Sequence, residues 1–242
     1  FLLELSDEVK NLEEKTLRHM PLIGECDLND SRYIKPSSVG GYGLSGQWID
    51  EFHHALHALL TGENGGYYHD FGSFEHLFKA YQETFVYDGI YSDHRKKIFG
   101  NSAADNSFDQ FVVFSQNHDQ VGNRMLGDRL STLVSYDILK LCAVSVLTAP
   151  YVPMLFMGEE YAEEKPFQYF VSHTDPDLVE AVRKGRKAEF AYFQEEGKET
   201  PDPQAEATFE RSILSWDLKE ERRESMLQLY KKLIALRKKS PA

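Results

Sequence analysis

The most constraining feature of the chain is the run Phe111-Val112-Val113-Phe114, which stops at Gln116-Asn117-His118-Asp119. Four consecutive apolar β-formers predict a strand buried on both faces, and such strands belong to parallel sheets covered by helices. The polar cluster then falls at the strand's C-terminal end. Comparable units recur along the chain. Leu22-Ile23-Gly24 predicts a short buried strand closing at Glu25, and Val152-Pro153-Met154-Leu155-Phe156 predicts another, closed by Gly158-Glu159-Glu160. Between them lie segments of helical character. Leu2, Leu5, Val9 and Leu12 stripe a helix over residues 1–19, and 48–60 is helix-compatible. Residues 135–147 predict a helix buried on most sides, and Met226, Leu229, Leu233 and Leu236 stripe a last one. Short strands alternating with helices predict an α/β fold. In a (β/α)8 barrel, polar residues at strand C-terminal ends are where catalysis sits.

Length and charge narrow the partners. A chain of 242 residues buries a sizeable core. Its 27 basic and 39 acidic residues give a net charge of −12, which repels phosphate backbones and anionic lipid. No nucleic acid and no membrane are therefore expected. The two cysteines, Cys26 and Cys142, provide neither a disulfide framework nor a metal-ligand spacing, and fit reduced thiols in a cytoplasmic protein. Two polar excursions, about 88–108 and 157–222, read as loop insertions.

Several residues are candidates for chemistry. A carboxyl at a buried strand end, such as Glu25, suits a general acid; a solvated loop carboxylate is the alternative. Around Asp119 stand Gln116, Asn117, His118, Gln120, Asn123 and Arg124, more hydrogen-bonding groups than a turn before a helix requires. They suit a polyhydroxylated ligand. His53, His54 and His57 lack a further ligand at metal spacing, so packing or sugar contacts are expected, with no metal and no cofactor. Among the aromatics, Trp48, Phe52, Tyr67 and Tyr68 are the ones expected near a site mouth, where ring faces stack on sugars; most others belong to the core.

Phe114-Ser115-Gln116-Asn117-His118-Asp119-Gln120-Val121-Gly122-Asn123-Arg124 resembles the fourth signature region of the α-amylase superfamily, glycoside hydrolase family 13. That region places a catalytic aspartate after barrel strand seven. Leu22-Ile23-Gly24-Glu25-Cys26-Asp27-Leu28-Asn29 is similar to the third region, whose glutamate is the proton donor after strand five. More narrowly, Gln47-Trp48-Ile49-Asp50-Glu51-Phe52-His53-His54-Ala55-Leu56-His57, Gly66-Tyr67-Tyr68, residues 153–160 and Pro201-Asp202-Pro203 resemble the trehalohydrolase branch and its glycogen-branching relatives.

The resemblance implies residues 1–242 as the C-terminal half of a (β/α)8 TIM barrel, strands five to eight with long βα loops, the 157–222 excursion lying between strand eight and the last helix. It implies Glu25 and Asp119 as catalytic, and His118, Asn117, Trp48, Asp50, Phe52, His54 and Arg124 as substrate-binding. The expected substrate is maltooligosyl trehalose or a related α-glucan, cut with retention at the α-1,4 bond next to the terminal trehalose. A branching enzyme or other α-glucan transferase is the alternative on the same barrel, and a non-catalytic glucan-binding half-barrel the alternative of another class. Cys26 replaces an expected Ser or Asn, and Glu51 an expected Asp. The family's nucleophile run, Gly-Phe-Arg-x-Asp, does not occur in these residues, nor does its Asp-x-x-x-Asn-His. An N-terminal half-barrel of a longer parent is thus the expected partner, and the chain alone is expected to be inactive.

Overall fold

The computed structural model describes residues 1–190 and 199–240. Residues 191–198 of the second excursion and the terminal Pro241-Ala242 lie outside the described residues. In chain order the elements are α1 (Leu2–Thr16), β1 (Ile23–Gly24), β2 (Gly46–Trp48), α2 (Asp50–Thr61), α3 (Phe74–Glu83), β3 (Ile90–Ser92), β4 (Lys97–Phe99) and β5 (Phe111–Val113). There follow α4 (His118–Gly122), α5 (Leu130–Leu133), α6 (Tyr136–Thr148), β6 (Val152–Pro153), α7 (Pro176–Phe190), α8 (Glu206–Arg211) and α9 (Glu221–Lys239). The chain divides into two compact units. The first comprises residues 1–115, 142–154 and 236–242, the second 116–141 and 155–235.

The first unit contains the sheet. Its strands run in the order β1-β2-β5-β6 and every pairing is parallel, with Ile23 opposite Gly46, Gln47 opposite Phe111 and Val112 opposite Val152. All four C-terminal ends therefore lie along one edge. β5, the strand with the most apolar sequence, is central and fully buried. β1 and β6 are the outer strands, and Ile23 is 49% exposed, so the expectation of a buried β1 is not met: an outer strand has one flank without a neighbour.

Aromatic side chains fill the core beneath the sheet. Phe52, Phe85, Phe111 and Tyr151 are fully buried, with Phe111 edge-on to both Phe85 and Tyr151. The Tyr151 hydroxyl donates to the Ala80 carbonyl at 2.6 Å, tying β6's approach to α3. Arg237, at the end of α9, donates to the Ala149 carbonyl at 2.5 Å and also to that of Tyr151.

Some sequence expectations fail in detail. The predicted helix 48–60 begins two residues later, because Trp48 completes β2. Leu5 and Leu12 of the α1 stripe are exposed, and Leu141 and Val144 expose one flank of α6, expected to be buried almost all round. The first excursion is not simply loop: β3 and β4 pair antiparallel as a hairpin. The second contains α7 and α8. None of the helices among the described residues is long and apolar enough to cross a membrane.

Candidate active site

In the first unit the expected site residues gather along the C-terminal edge of the sheet. Glu25 directly follows β1 and is exposed. Trp48 ends β2 and meets Phe114 edge-on, ring centroids 5.5 Å apart. Asp50 opens α2, where the helix dipole favours an acidic side chain. Phe52 was expected to face a ligand and does not. It is fully buried against Tyr81 and Tyr151 in the core.

The three histidines of α2 form an aromatic stack with the Gly66-Tyr67-Tyr68 turn. His53 Nδ1 lies 2.6 Å from the Ser115 carbonyl oxygen, which only accepts, so Nδ1 carries the proton. Its Nε2, 2.8 Å from Tyr68 Oη, then accepts from that hydroxyl in the neutral ring. His57 stacks on Tyr68 at 4.5 Å and its Nε2 pairs with Glu63 at 2.8 Å. His54 stacks on Tyr67 at 4.8 Å. Burial pushes the His54 pKa down to about 3, so the ring is neutral. Being buried, it backs the 39%-exposed Tyr67 and does not itself form the contact surface expected of it. Tyr67 is the ring of the pair that reaches solvent.

The hairpin is one part of the first unit that sequence reasoning missed. Asp70 accepts from the Tyr87 hydroxyl (2.5 Å), Ser92 Oγ (2.6 Å) and the His94 amide (3.1 Å), which fixes the hairpin to the turn after Tyr68. Burial opposes the charge of Asp70, but these donors outweigh it and hold its pKa below the usual carboxylate range. The hairpin carries Arg95 to Asp27, two residues beyond Glu25, at 2.9 Å and over the Phe99 ring at 3.9 Å. A signal was present: Gly89 and Gly100 bracket the segment with φ of 108° and 76°. At Gly100 a Cβ would meet the Tyr87 carbonyl oxygen at 1.8 Å, so no other residue fits there. Glu51, the departure from the family pattern, is buried and accepts from the Val86 and Tyr87 amides at 2.5 and 3.1 Å. Burial raises its pKa to about 7.

The second unit holds the polar run that follows β5. Asn117 caps α4, its side-chain oxygen accepting from the Asp119 and Gln120 amides at 2.9 and 3.1 Å. It is buried, so its expected contact with substrate gives way to shaping the turn. His118 and Asp119 are exposed, with Nε2 and Oδ1 3.5 Å apart. Arg124 is partly exposed and lies 3.9 Å from Asp128. Arg186 of α7, unnoticed in the sequence, donates to the Gly122 carbonyl at 3.0 Å while its guanidinium rests on Tyr169 and Phe190, each at 4.7 Å. The excursion thereby grips the end of α4.

Similarity to known proteins agrees with this architecture. No protein-family model matches the chain. A Salmonella typhimurium crystal structure carrying the name alpha amylase superposes with a TM-score of 0.89 at 37% identity, over 98% of this chain and 41% of that one. The parallel sheet with its helices is thus part of an α-amylase-type (β/α)8 barrel. Malto-oligosyltrehalose trehalohydrolases from Saccharolobus solfataricus and Arthrobacter ramosus are 48% and 45% identical over 90% and 98% of this chain. Along most of its length the chain is thus similar in sequence to these trehalohydrolases. It spans 37% and 42% of those two relatives' lengths.

Proposed function

We propose that the chain supplies strands five to eight of the catalytic barrel of a retaining glycosidase, which cuts the α-1,4 bond next to the terminal trehalose of a maltooligosyl trehalose and releases trehalose. The observation that carries this reading is positional. Glu25 directly follows β1, Trp48 ends β2 and the run 116–119 comes after β5 in the chain, three strands of one parallel sheet, in a sequence 48% identical to a trehalohydrolase. A cytoplasmic setting belongs to the proposal, supported by a sequence whose two cysteines provide no disulfide framework.

Retention needs an acid/base and a nucleophilic carboxylate about 5 Å apart, acting through an oxocarbenium-like transition state. Glu25 protonates the glycosidic oxygen as the bond breaks, then takes a proton from the water that opens the glycosyl-enzyme. Its exposure suits both tasks, since leaving group and water must each reach it. Asp119, with His118 beside it, hydrogen-bonds sugar hydroxyls and stabilises the positive charge of the transition state. The nucleophile comes from the rest of the parent. Trp48 and Tyr67, two rings of the first unit that reach solvent, offer walls for the folded shape of the α,α-1,1-linked disaccharide.

The test incubates the full-length parent with maltooligosyl trehalose and with plain maltooligosaccharide. Trehalose is expected only from the first, and Glu25→Gln abolishes its release without changing the fold. Branched glucan with no trehalose would favour the transferase. Binding without turnover, together with a parent lacking the nucleophile, would favour a non-catalytic module. The 242 residues alone, lacking the nucleophile run, are expected to lose several powers of ten in rate.

A further inference from the structure

Gln116 is buried two residues before His118, and it hydrogen-bonds in two directions. Its Oε1 accepts from the Leu130 amide at the start of α5, at 3.2 Å. Its Nε2 donates to Glu159 Oε2 at 3.4 Å. Glu159 is 3% exposed and follows Gly158, whose φ of 89° turns the chain where a Cβ would meet Glu163 at 2.8 Å. The other carboxyl oxygen of Glu159 accepts from the Tyr230 hydroxyl of α9 at 3.3 Å. One buried carboxyl therefore joins α9, the turn after β6 and the base of the turn bearing His118 and Asp119, all within the second unit. A buried acid is a costly brace where an apolar side chain would pack, unless its hydrogen bonds fix a geometry that hydrocarbon leaves loose.

We propose that Glu159 is a positioning residue for Asp119, acting through Gln116 to fix the turn that presents the aspartate to the sugar. This rests on the reading of Asp119 given above. Burial raises the Glu159 pKa to about 8, and its surroundings fit a neutral acid: both named donors, an amide and a phenol, are uncharged. A glutamine of the same shape can therefore stand in for it, with its own amide group directed at the Tyr230 oxygen.

The experiment uses the full-length enzyme and compares Glu159→Leu, Gln116→Leu and Glu159→Gln. Small displacements of a catalytic group cost up to about 100-fold, so each leucine variant is expected to lose about 10- to 100-fold in kcat with KM changed less than about twofold. Glu159→Gln restores kcat to within about fivefold of wild type, as a shared geometry requires. The double leucine variant is no slower than the worse single, because both break one link. Hydrogen exchange at the Asp119 and Gln120 amides, held by Asn117, quickens in the leucine variants while that of β5 is unchanged. Wild-type kcat in a folded leucine variant, multiplying losses in the double, or unchanged exchange at those two amides overturns the proposal. Should Glu159→Leu fail to fold, Tyr230→Phe removes only the hydroxyl and carries the same exchange test. Rates are read on whichever α-glucan the wild type turns over, so a branching product would sink the trehalose reading and leave this test standing. If Asp119→Asn keeps full activity, the role of Asp119 falls and the positioning proposal with it, whatever product is made.

Discussion

The two compact units solve the problem of burial with different chemistry. The first centres on rings and hydrocarbon, with Ile49, Phe52, Phe85, Phe111 and Tyr151 at most 1% exposed, and buries Glu51 and the α2 histidines beside them. The second adds to apolar side chains such as Met226 a buried arginine and two buried glutamates. Arg129 is 1% exposed, donating to the Lys165 and Met157 carbonyls at 2.7 and 2.8 Å, with Phe156 under its guanidinium. Glu163, also 1% exposed, accepts from the Glu164 and Lys165 amides, from Ser215 Nα and Oγ, and from Arg223 at 3.5 Å. The comparison teaches that burial alone does not set a carboxyl's state. Burial opposes the charge of both Glu159 and Glu163, yet Glu163, with its many donors and an arginine, is held down to about 2, while Glu159 is pushed up to about 8. Apolar packing tolerates exchange of similar shapes; polar networks specify one arrangement and fail when one member is lost.

The largest expected effect tests the apolar side. Phe52→Ala empties the centre of the aromatic core and should cost about 3–5 kcal/mol, equally at pH 5 and pH 8, by urea unfolding. A smaller loss would show that Phe52 is less central than its burial implies. Glu163→Gln comes next, at about 2–3 kcal/mol, since charge-assisted hydrogen bonds are lost and Arg223 loses its buried partner. This loss should be full near neutrality. It should vanish as pH falls from the ordinary carboxyl value toward 2, because the native group binds its proton only there.

Glu159 should respond in the opposite sense. With its folded pKa raised, the native state holds a proton that the unfolded chain releases, so its contribution declines as pH rises from about 4.3 toward 8, by up to about 1.4 kcal/mol per pH unit. Glu159→Gln should flatten that slope in a pH series of unfolding curves. A slope left unchanged would mean that Glu159 is ionised in the native state, which would erase the contrast with Glu163. The smallest effect lies on the surface: Lys140→Ala, which removes the pair with Asp137 at 2.8 Å, should leave the unfolding midpoint where it was.

Much of the fold was readable because its cause is local. β5 is written in Phe111-Val112-Val113, and four helices in their apolar residues. The polar run at 116–119 was legible for the same reason, since the change from apolar to polar marks the end of a buried strand. β2 was not. Gly46-Gln47-Trp48 has no apolar periodicity, and it is a strand only because Ile23 on one side and Phe111 on the other pair with it.

The sequence by itself determined which residues could do chemistry: carboxyls, amides and rings set at or just after the ends of short strands. Tertiary structure alone decided which of them face outward. Phe52 and His54 are near neighbours on one helix, but the first sinks into the core and the second backs Tyr67, a difference that depends on what α3 and the Tyr67 turn bring to each face. It alone also decided protonation, giving about 8 to Glu159 and about 2 to Glu163. They stand only four positions apart in sequence. A carboxyl's pKa is set by the donors that distant segments place around it, and local sequence has no means of specifying those.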